Sequence, residues 1–323
     1  MNPLIAPMAL LVERFAGYPK PLLDRIGHPV MWFGAAIDAL EKRLNTPRRS
    51  PGQRRQAGIV SLVLLLLAVL VVTVGIRTVL SWLPLGWVLE MLLATAFLAQ
   101  KELDRAVTAV SEALRVSLAA GREAVSHVVG RDPEALDEAG VARAAVETLA
   151  ESTSDGVVAP WFFLVLFGLP GIVLYKVVNT ADSMIGHKDD RYRDYGWAAA
   201  RLDDVLNWIP ARLTTLLVVI ACFFLPGASP GTAWATARRD APRHDSPNAG
   251  WPEAAFAGAL GFQLGGPRTY HGDMVDLPAF GSGRAALGAS DILRAVHLYR
   301  KVLNVLLSVS ALLALMALAG GIA

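Results

Sequence analysis

Residues 58–80 read GIVSLVLLLLAVLVVTVGIRTVL, with Arg77 as the only charged side chain. A run this long and apolar matches the roughly 30 Å hydrocarbon core of a bilayer. In lipid every backbone polar group must be satisfied internally, so the run commits the chain to helices there. Immediately before it lies KRLNTPRRSPGQRR, with Lys42, Arg43, Arg48, Arg49, Arg54 and Arg55 and no acidic residue. The positive-inside rule places that loop in the cytoplasm, where a solvated basic loop has topology as its plainest role. Further apolar runs follow at 82–99, 157–178, 206–225 and 302–323. The pattern predicts an all-α, polytopic membrane protein with about four to six apolar helices, one of them broken or re-entrant, and amphipathic cytoplasmic helices. A single integral membrane domain over 1–323 is expected. Within it, 100–156 reads as an amphipathic helical loop and 226–301 as a polar loop region.

Composition supports that class. Hydrophobic residues make up 54% of the chain and charged residues only 18%, with a mean hydropathy of +0.44 that is high for a soluble domain. A net charge of +2 supplies no basic field for nucleic acid, and no nucleic-acid motif is present. One cysteine, Cys222, excludes an intramolecular disulfide and a cysteine zinc cluster, and reads as a small buried hydrophobe. The start, MNPLIAPMALLVERF, lacks a basic leader and a small-residue cleavage site, and reads as an interfacial or first membrane helix.

Local signals refine the layout. Runs 58–80 and 82–99, joined by a turn with Pro84 and Gly86, predict a hairpin that returns the chain to the cytoplasm, with Glu90 facing a partner helix or a cavity. In 100–129, Leu103, Val107, Val110, Leu114 and Leu118 share one helical face. Asp132, Pro133 and Glu134 read as the start of the next helix, which brings Glu147 and Glu151 to one face. Run 157–178 is interrupted by Pro160, Gly168, Pro170 and Gly171. A full crossing would put the polar patches at 147–156 and 179–205 on opposite sides of the membrane. Two half-helices that dip in and return would keep both cytoplasmic, and such backbone is tolerated at depth when buried in protein.

Four polar patches hold the candidate chemistry. Ionisable groups next to hydrocarbon are costly and are usually retained for a site. The first patch, ESTSDG, offers Glu151 and Asp155 beside hydroxyls, an oxygen donor set suited to Mg²⁺. In the second, KVVNTADSMIGHKDDRYRDYG, Lys176, Asn179 and Asp182 recur at three-residue steps, and Lys188, Arg191 and Arg193 suit phosphate oxygens. The third, ARLDDVLNWIPARL, packs Asp203, Asp204 and Asn207 into one turn flanked by Arg201 and Arg212. The fourth sets Asn248 and Glu253 beside glycine-rich turns, and its GALGFQLGG lacks the Lys-Ser/Thr of a phosphate loop. Helix ends, juxtamembrane charge and turns account for each patch taken singly. No nucleophile elbow and no HExxH occurs. Carboxylates, basic groups and amides suit phosphate and Mg²⁺ chemistry, which is mainly positioning and charge neutralisation.

Taken together, AVETLAESTSDGVVAP, YKVVNTADSMIGHK, RLDDVLNWIPARL and SPNAGWPEAAFAGALGFQLGGP resemble the adenosylcobinamide-phosphate synthase family of cobalamin biosynthesis. GHPVMWFGAAIDALEKRLN is similar to that family's His-Pro-Val motif, and the resemblance covers nearly the whole chain. The chain departs from the family pattern at Glu13 and at Gly17-Tyr18-Pro19, where members often carry an Asp and a Gly-Asp-Pro. The resemblance implies an integral membrane enzyme of the cell's inner membrane. It would join adenosylcobyric acid to aminopropanol or aminopropanol phosphate in an ATP-dependent amide ligation, giving adenosylcobinamide phosphate, and other cobalamin-pathway enzymes are candidate partners alongside membrane lipid. Residue chemistry, not the resemblance, suggests individual roles. Glu151, Asp155, Asp182, Asp203 and Asp204 are the candidate catalytic carboxylates, and Asp155, Asp182 and Asp204 the candidate Mg²⁺ ligands. Lys176, Lys188, Arg201 and Arg212 would take phosphate groups of ATP or aminopropanol phosphate. Asn179, Asn207, Asn248 and Glu253 complete the substrate-binding set, at a site expected on the cytoplasmic side. A transporter or binding protein for a corrinoid or phosphorylated metabolite, or a scaffold for other enzymes, remains a rival reading of the same residues.

Overall fold

The computed structural model describes residues 2–129, 133–266, 268–270, 273–275 and 278–321. Fourteen α-helices are described: α1 (Ile5–Ala16), α2 (Lys20–Ile26), α3 (Pro29–Leu44), α4 (Pro51–Ser81), α5 (Gly86–Thr95), α6 (Gln100–Val116), α7 (Leu118–Ser126), α8 (Glu138–Thr153), α9 (Ala159–Ile185), α10 (Trp197–Leu206), α11 (Trp208–Cys222), α12 (Pro230–Asp240), α13 (Gly250–Leu260) and α14 (Ala289–Ala319). The only strands among the described residues are short: β1 (Leu264–Gly265) pairs antiparallel with β4 (Ala279–Phe280), and β2 (Arg268–Tyr270) with β3 (Asp273–Val275). The all-α expectation holds. The chain forms two compact units, neither of them contiguous in sequence. One comprises Met1–Ala99, Ala159–Asn207 and Ser310–Ala323; the other comprises Gln100–Val158 and Trp208–Val309. The stretches expected as a helical loop and a polar loop both fall largely in the second unit.

Three stretches are long and apolar enough to cross a membrane: Pro51–Ser81, Glu138–Ile185 and Ala289–Ala319. A fourth is possible if α10 and α11, bent by 43° at Asn207, act as one. The count therefore sits at the low end of the sequence expectation. Run 82–99 is the reason: its helix α5 is ten residues long and rises only about 15 Å, half of a bilayer core. The expected full return crossing by that run is thus not formed. Helix α4 presents Val60, Val63, Leu64, Leu67, Val71 and Val72 outward, as a helix bathed in lipid should. Its start is fixed by a reciprocal capping box, with Ser50 Oγ accepting from the Gln53 amide and Gln53 Oε1 accepting from the Ser50 amide.

Helix α9 carries the reversal anticipated at 168–171. Gly168 adopts φ 67° and ψ −153°, outside helical space and in the region that favours glycine. The Phe163 and Tyr175 rings stack with centroids 5.1 Å apart, whereas twelve residues of straight helix would rise about 18 Å. A Cβ built on Gly171 would lie 2.4 Å from the Phe163 carbonyl oxygen, so glycine is required where the two limbs meet. The chain therefore doubles back at Gly168, although Glu138–Ile185 qualifies as a span by length and apolarity. Buried Glu90 of α5 closes the tip: its Oε1 accepts from the Leu169 amide at 3.5 Å and lies 3.6 Å from Arg77 Nε. The carboxylate thus caps the first free N–H of the second limb. Glu90 faces a partner helix, as expected of a charge in this position.

In the second unit, α8 begins at Glu138, with Asp137 Oδ1 accepting from the Gly140 amide at 2.6 Å. The sequence expectation put the cap at Asp132, which lies outside the described residues. A 3₁₀ turn, Pro133–Ala135, precedes the helix instead. Expected as a polar loop, 226–301 contains α12, α13, the strand pairs and the start of α14. Ser246 Oγ accepts from the Asn248 and Ala249 amides just before α13.

Candidate functional site

In the first unit, the second limb of α9 and the end of α10 converge on a polar cluster. Buried Tyr175 donates its hydroxyl to Asn207 Oδ1 at 2.9 Å, and Asn207 Nδ2 donates to Asp203 Oδ2 at 2.9 Å. Asn207 falls at the bend between α10 and α11, so the helix break itself positions the amide that holds Asp203. Asp203 is 9% exposed, and its other oxygen, Oδ1, has no hydrogen-bond partner among the described residues. Asp182, Asp204 and the Asn179 amide lie around that carboxylate. Lys176 Nζ donates to Asn179 Oδ1 at 3.2 Å, one turn along the same face. Six sequence-predicted residues are therefore brought together here: Lys176, Asn179, Asp182, Asp203, Asp204 and Asn207. Arg201 lies at the rim, 3.7 Å from Asp204, and Lys188 is within electrostatic reach of Asp204.

Two features of this unit were harder to read from sequence. His28, in the His-Pro-Val motif, caps α3: its Nδ1 accepts from the Val30 amide at 3.3 Å, with Pro29 at the first helical position. Burial, and then the nearby Lys176 ammonium, push the His28 pKa below its ordinary value. An accepting Nδ1 and a depressed pKa both define a neutral imidazole beside the cluster. Arg191, expected to meet phosphate, instead forms a fork with Glu41, Nε to Oε1 at 3.0 Å and Nη2 to Oε2 at 2.9 Å. Asn45 Nδ2 adds bonds to Glu41 Oε1 and the Arg191 carbonyl. The Arg191 guanidinium holds the Glu41 carboxyl below the usual range. Arg191 is thus a clamp on the loop after α9, and Arg193 pairs with Asp190 at 2.7 Å.

The second unit holds the remaining predicted residues in a different arrangement. Arg212 of α11 lies over the Trp208 and Trp251 rings, 4.5 and 4.8 Å from their centroids. Its Nη1 donates to Asn248 Oδ1 at 3.0 Å and to the Trp208 carbonyl at 2.9 Å, and Nη2 to the Pro247 carbonyl at 3.2 Å. Arg212 and Asn248, both expected to bind substrate, therefore bind each other. Buried Glu253 approaches His244 Nε2 at 3.6 Å, and His244 Nδ1 accepts from the Ser246 amide at 2.9 Å. Glu151 lies in the last turn of α8, and Asp155 lies within the π-helical turn that follows, Ser154–Val158, a distortion frequently found at functional sites. Ser154 Oγ is buried there without a hydrogen-bond partner among the described residues. Glu147, on the same helix, is buried and accepts from the Gly265 amide at 2.6 Å, which anchors β1.

Among the described residues, no group of three or more His, Cys, Asp or Glu side chains is arranged as a metal-ion cluster. Mg²⁺ characteristically keeps several waters and takes one or two carboxylates plus phosphate oxygens. The neighbouring carboxylates of Asp182, Asp203 and Asp204, with an unpartnered oxygen on Asp203, fit that sparse requirement.

Fold and cluster define a polytopic helical membrane protein that holds carboxylates, amides and a lysine at a helix break. The family model "CobD/Cbib protein" matches residues 6–299, and the chain belongs to that family. It is similar to proteins named "Cobalamin biosynthesis protein CobD" from Brucella anthropi, 47% identical over 307 residues and 94% of each chain, and Rhizobium meliloti, 46% identical over the same share. A namesake from Rhodobacter capsulatus is 46% identical over 301 residues, 92% of each chain. No solved structure matches it.

Proposed function

We propose that this protein acts in cobalamin biosynthesis as the membrane enzyme that forms adenosylcobinamide phosphate, condensing the carboxylate of adenosylcobyric acid with the amine of aminopropanol or its phosphate. A carboxylate is a poor acyl donor. Attack of its oxygen on the γ-phosphorus of ATP would give an acyl phosphate and ADP. The amine then attacks the acyl carbon, phosphate leaves with the C–O electron pair, and the amine proton passes to base. The single observation that supports the reading best is the buried chain Tyr175–Asn207–Asp203, ending in an unpartnered carboxylate oxygen beside Asp182 and Asn179. An unmade hydrogen bond at a buried carboxylate is costly, and a cation with its phosphate would supply the missing partner.

In this proposal one or two of the Asp182, Asp203 and Asp204 carboxylates would hold Mg²⁺ together with phosphate oxygens, and the ion would offset phosphate charge. Lys176 takes a phosphate oxygen and Asn179 orients the same group. Asn207 and Tyr175 fix the angle of Asp203. Asp155 and Glu151 are proposed to bind substrate near the π-turn. The basic loop before α4 supports a cytoplasmic site in the inner membrane, where ATP is available. Membranes carrying the protein, given adenosylcobyric acid, aminopropanol phosphate and MgATP, should yield the product mass and consume ATP. Retention of corrinoid with no product under those conditions would favour the transporter reading.

A further inference from the structure

The N-terminal end of α4 carries a feature that the proposed reaction does not use. An open cleft of about 420 Å³ is lined by Leu44, Arg49, Gln53, Gln56, Ala57 and Val60. Along α4 the positions 53, 56, 60, 63 and 67 recur at steps of three and four, so they form one stripe down one face. The stripe is amide-bearing at Gln53 and Gln56, then turns apolar at Val60, Val63 and Leu67, which are 53%, 47% and 53% exposed. It runs from the basic loop into the part of α4 that matches hydrocarbon. Its polar-to-apolar order, read along the helix, is that of a phospholipid read from headgroup to acyl chain.

Charge selects the headgroup. Lys42 pairs with Asp38 at 2.6 Å, Arg54 with Asp194 at 2.9 Å, and Arg55 stacks on Trp197, 3.5 Å from the ring centroid. Arg43, Arg48 and Arg49 have no ion pair among the described residues, and Arg49 borders the cleft. Trp197, 37% exposed, marks the level at which aromatic side chains meet headgroups. The capping box engages the oxygen of Gln53, and the amide nitrogen is a donor by chemistry. Arginines beside amide donors, above an exposed apolar stripe, complement one phosphate on two acyl chains.

We propose that this cleft binds an anionic phospholipid, with the phosphate at Arg49, Gln53 and Gln56 and an acyl chain along Val60, Val63 and Leu67. The full-length protein would be reconstituted in nanodiscs of phosphatidylcholine containing graded phosphatidylglycerol, and retained lipid measured by native mass spectrometry. Phosphatidylglycerol should be retained in preference to phosphatidylcholine. The Arg48→Gln/Arg49→Gln variant should lower that preference by about 10- to 30-fold. The charge-matched Arg105→Gln/Arg115→Gln variant should leave it unchanged. Val63→Lys, which places a charge on the apolar stripe without touching the arginines, should weaken it as well. Equal retention of the two lipids overturns the proposal, as does an equal loss in both arginine variants. Displacement of the lipid by millimolar inorganic phosphate would also overturn it, by assigning the cleft to a free anion.

Discussion

Two buried aspartates show how differently one residue type can be used. Asp240, at the end of α12, is 1% exposed and fully engaged. Arg239 forks onto both of its oxygens at 2.8 and 2.7 Å, Arg243 approaches Oδ1 at 3.4 Å, and the Gly281 amide donates to Oδ2 at 2.8 Å. Asp203, also buried at 9% exposed, has only amide partners, Asn207 and Asn179, and other carboxylates stand nearby where Asp240 has guanidinium groups. A carboxylate surrounded by cations and amides holds structure together. A carboxylate left short of partners among other carboxylates costs stability, and such a cost persists where a ligand offsets it.

The largest expected effect is on turnover. Asp203→Asn and Asp182→Asn should each lower product formation by roughly a hundredfold or more, with membrane insertion and thermal stability retained or improved. Stability lost together with activity would erase the distinction from Asp240. Next comes Asp240→Asn, which should cost about 1–2 kcal/mol of stability through weakened charge-assisted bonds, read as a lower melting temperature in detergent. The Arg239 fork holds the Asp240 carboxyl below the usual range, so its stabilisation is complete above the unfolded-state value near 3.8 and lost as pH falls through the folded-state value. The Asn variant should therefore show a flatter stability profile in acid than the parent.

A smaller loss, about 1 kcal/mol, is expected for Glu90→Gln, which keeps an acceptor for the Leu169 amide but loses the Arg77 pair. Glu90→Ala should lose more, and an unchanged melting temperature for the alanine variant would refute the cap at the hairpin tip. The smallest effect is pH-dependent. His28 is neutral in the fold, with its pKa lowered mainly by burial. Its contribution is fully present above the unfolded value near 6.5 and lost as pH falls through the folded value. His28→Asn, which can still cap α3, should remove that pH dependence at a cost of a few tenths of a kcal/mol.

Much of the architecture was legible because it rests on local chemistry. Apolar length announced α4, and the Gly-Leu-Pro-Gly break announced the reversal in α9, since only glycine fits both the backbone at 168 and the contact at 171. The three-residue spacing of Lys176, Asn179 and Asp182 likewise placed them on one face, and the Asp-Asp-Val-Leu-Asn turn supplied their partners. What the sequence hid was long-range pairing. Glu41 and Arg191 are 150 residues apart, so nothing local marked Arg191 as a clamp in place of a phosphate ligand. Arg212 and Asn248 satisfied the same composition rules as the Asp203 cluster, yet they close on each other between two tryptophans. The short α5 was missed because an apolar run and a helix within it need not have the same length: α5 stops at Thr95, and Gln100, five residues on, already opens α6.

The decisive measurement places the two aspartates side by side. Parent, Asp203→Asn and Asp240→Asn proteins would be purified in one detergent, and adenosylcobinamide phosphate formed per folded molecule measured together with melting temperature. The Asp203 variant should melt at or above the parent and form almost no product. The Asp240 variant should melt lower and form product at close to the parental rate per folded molecule. An active Asp203 variant with a lowered melting temperature would show that Asp203 is scaffold and that the site lies elsewhere.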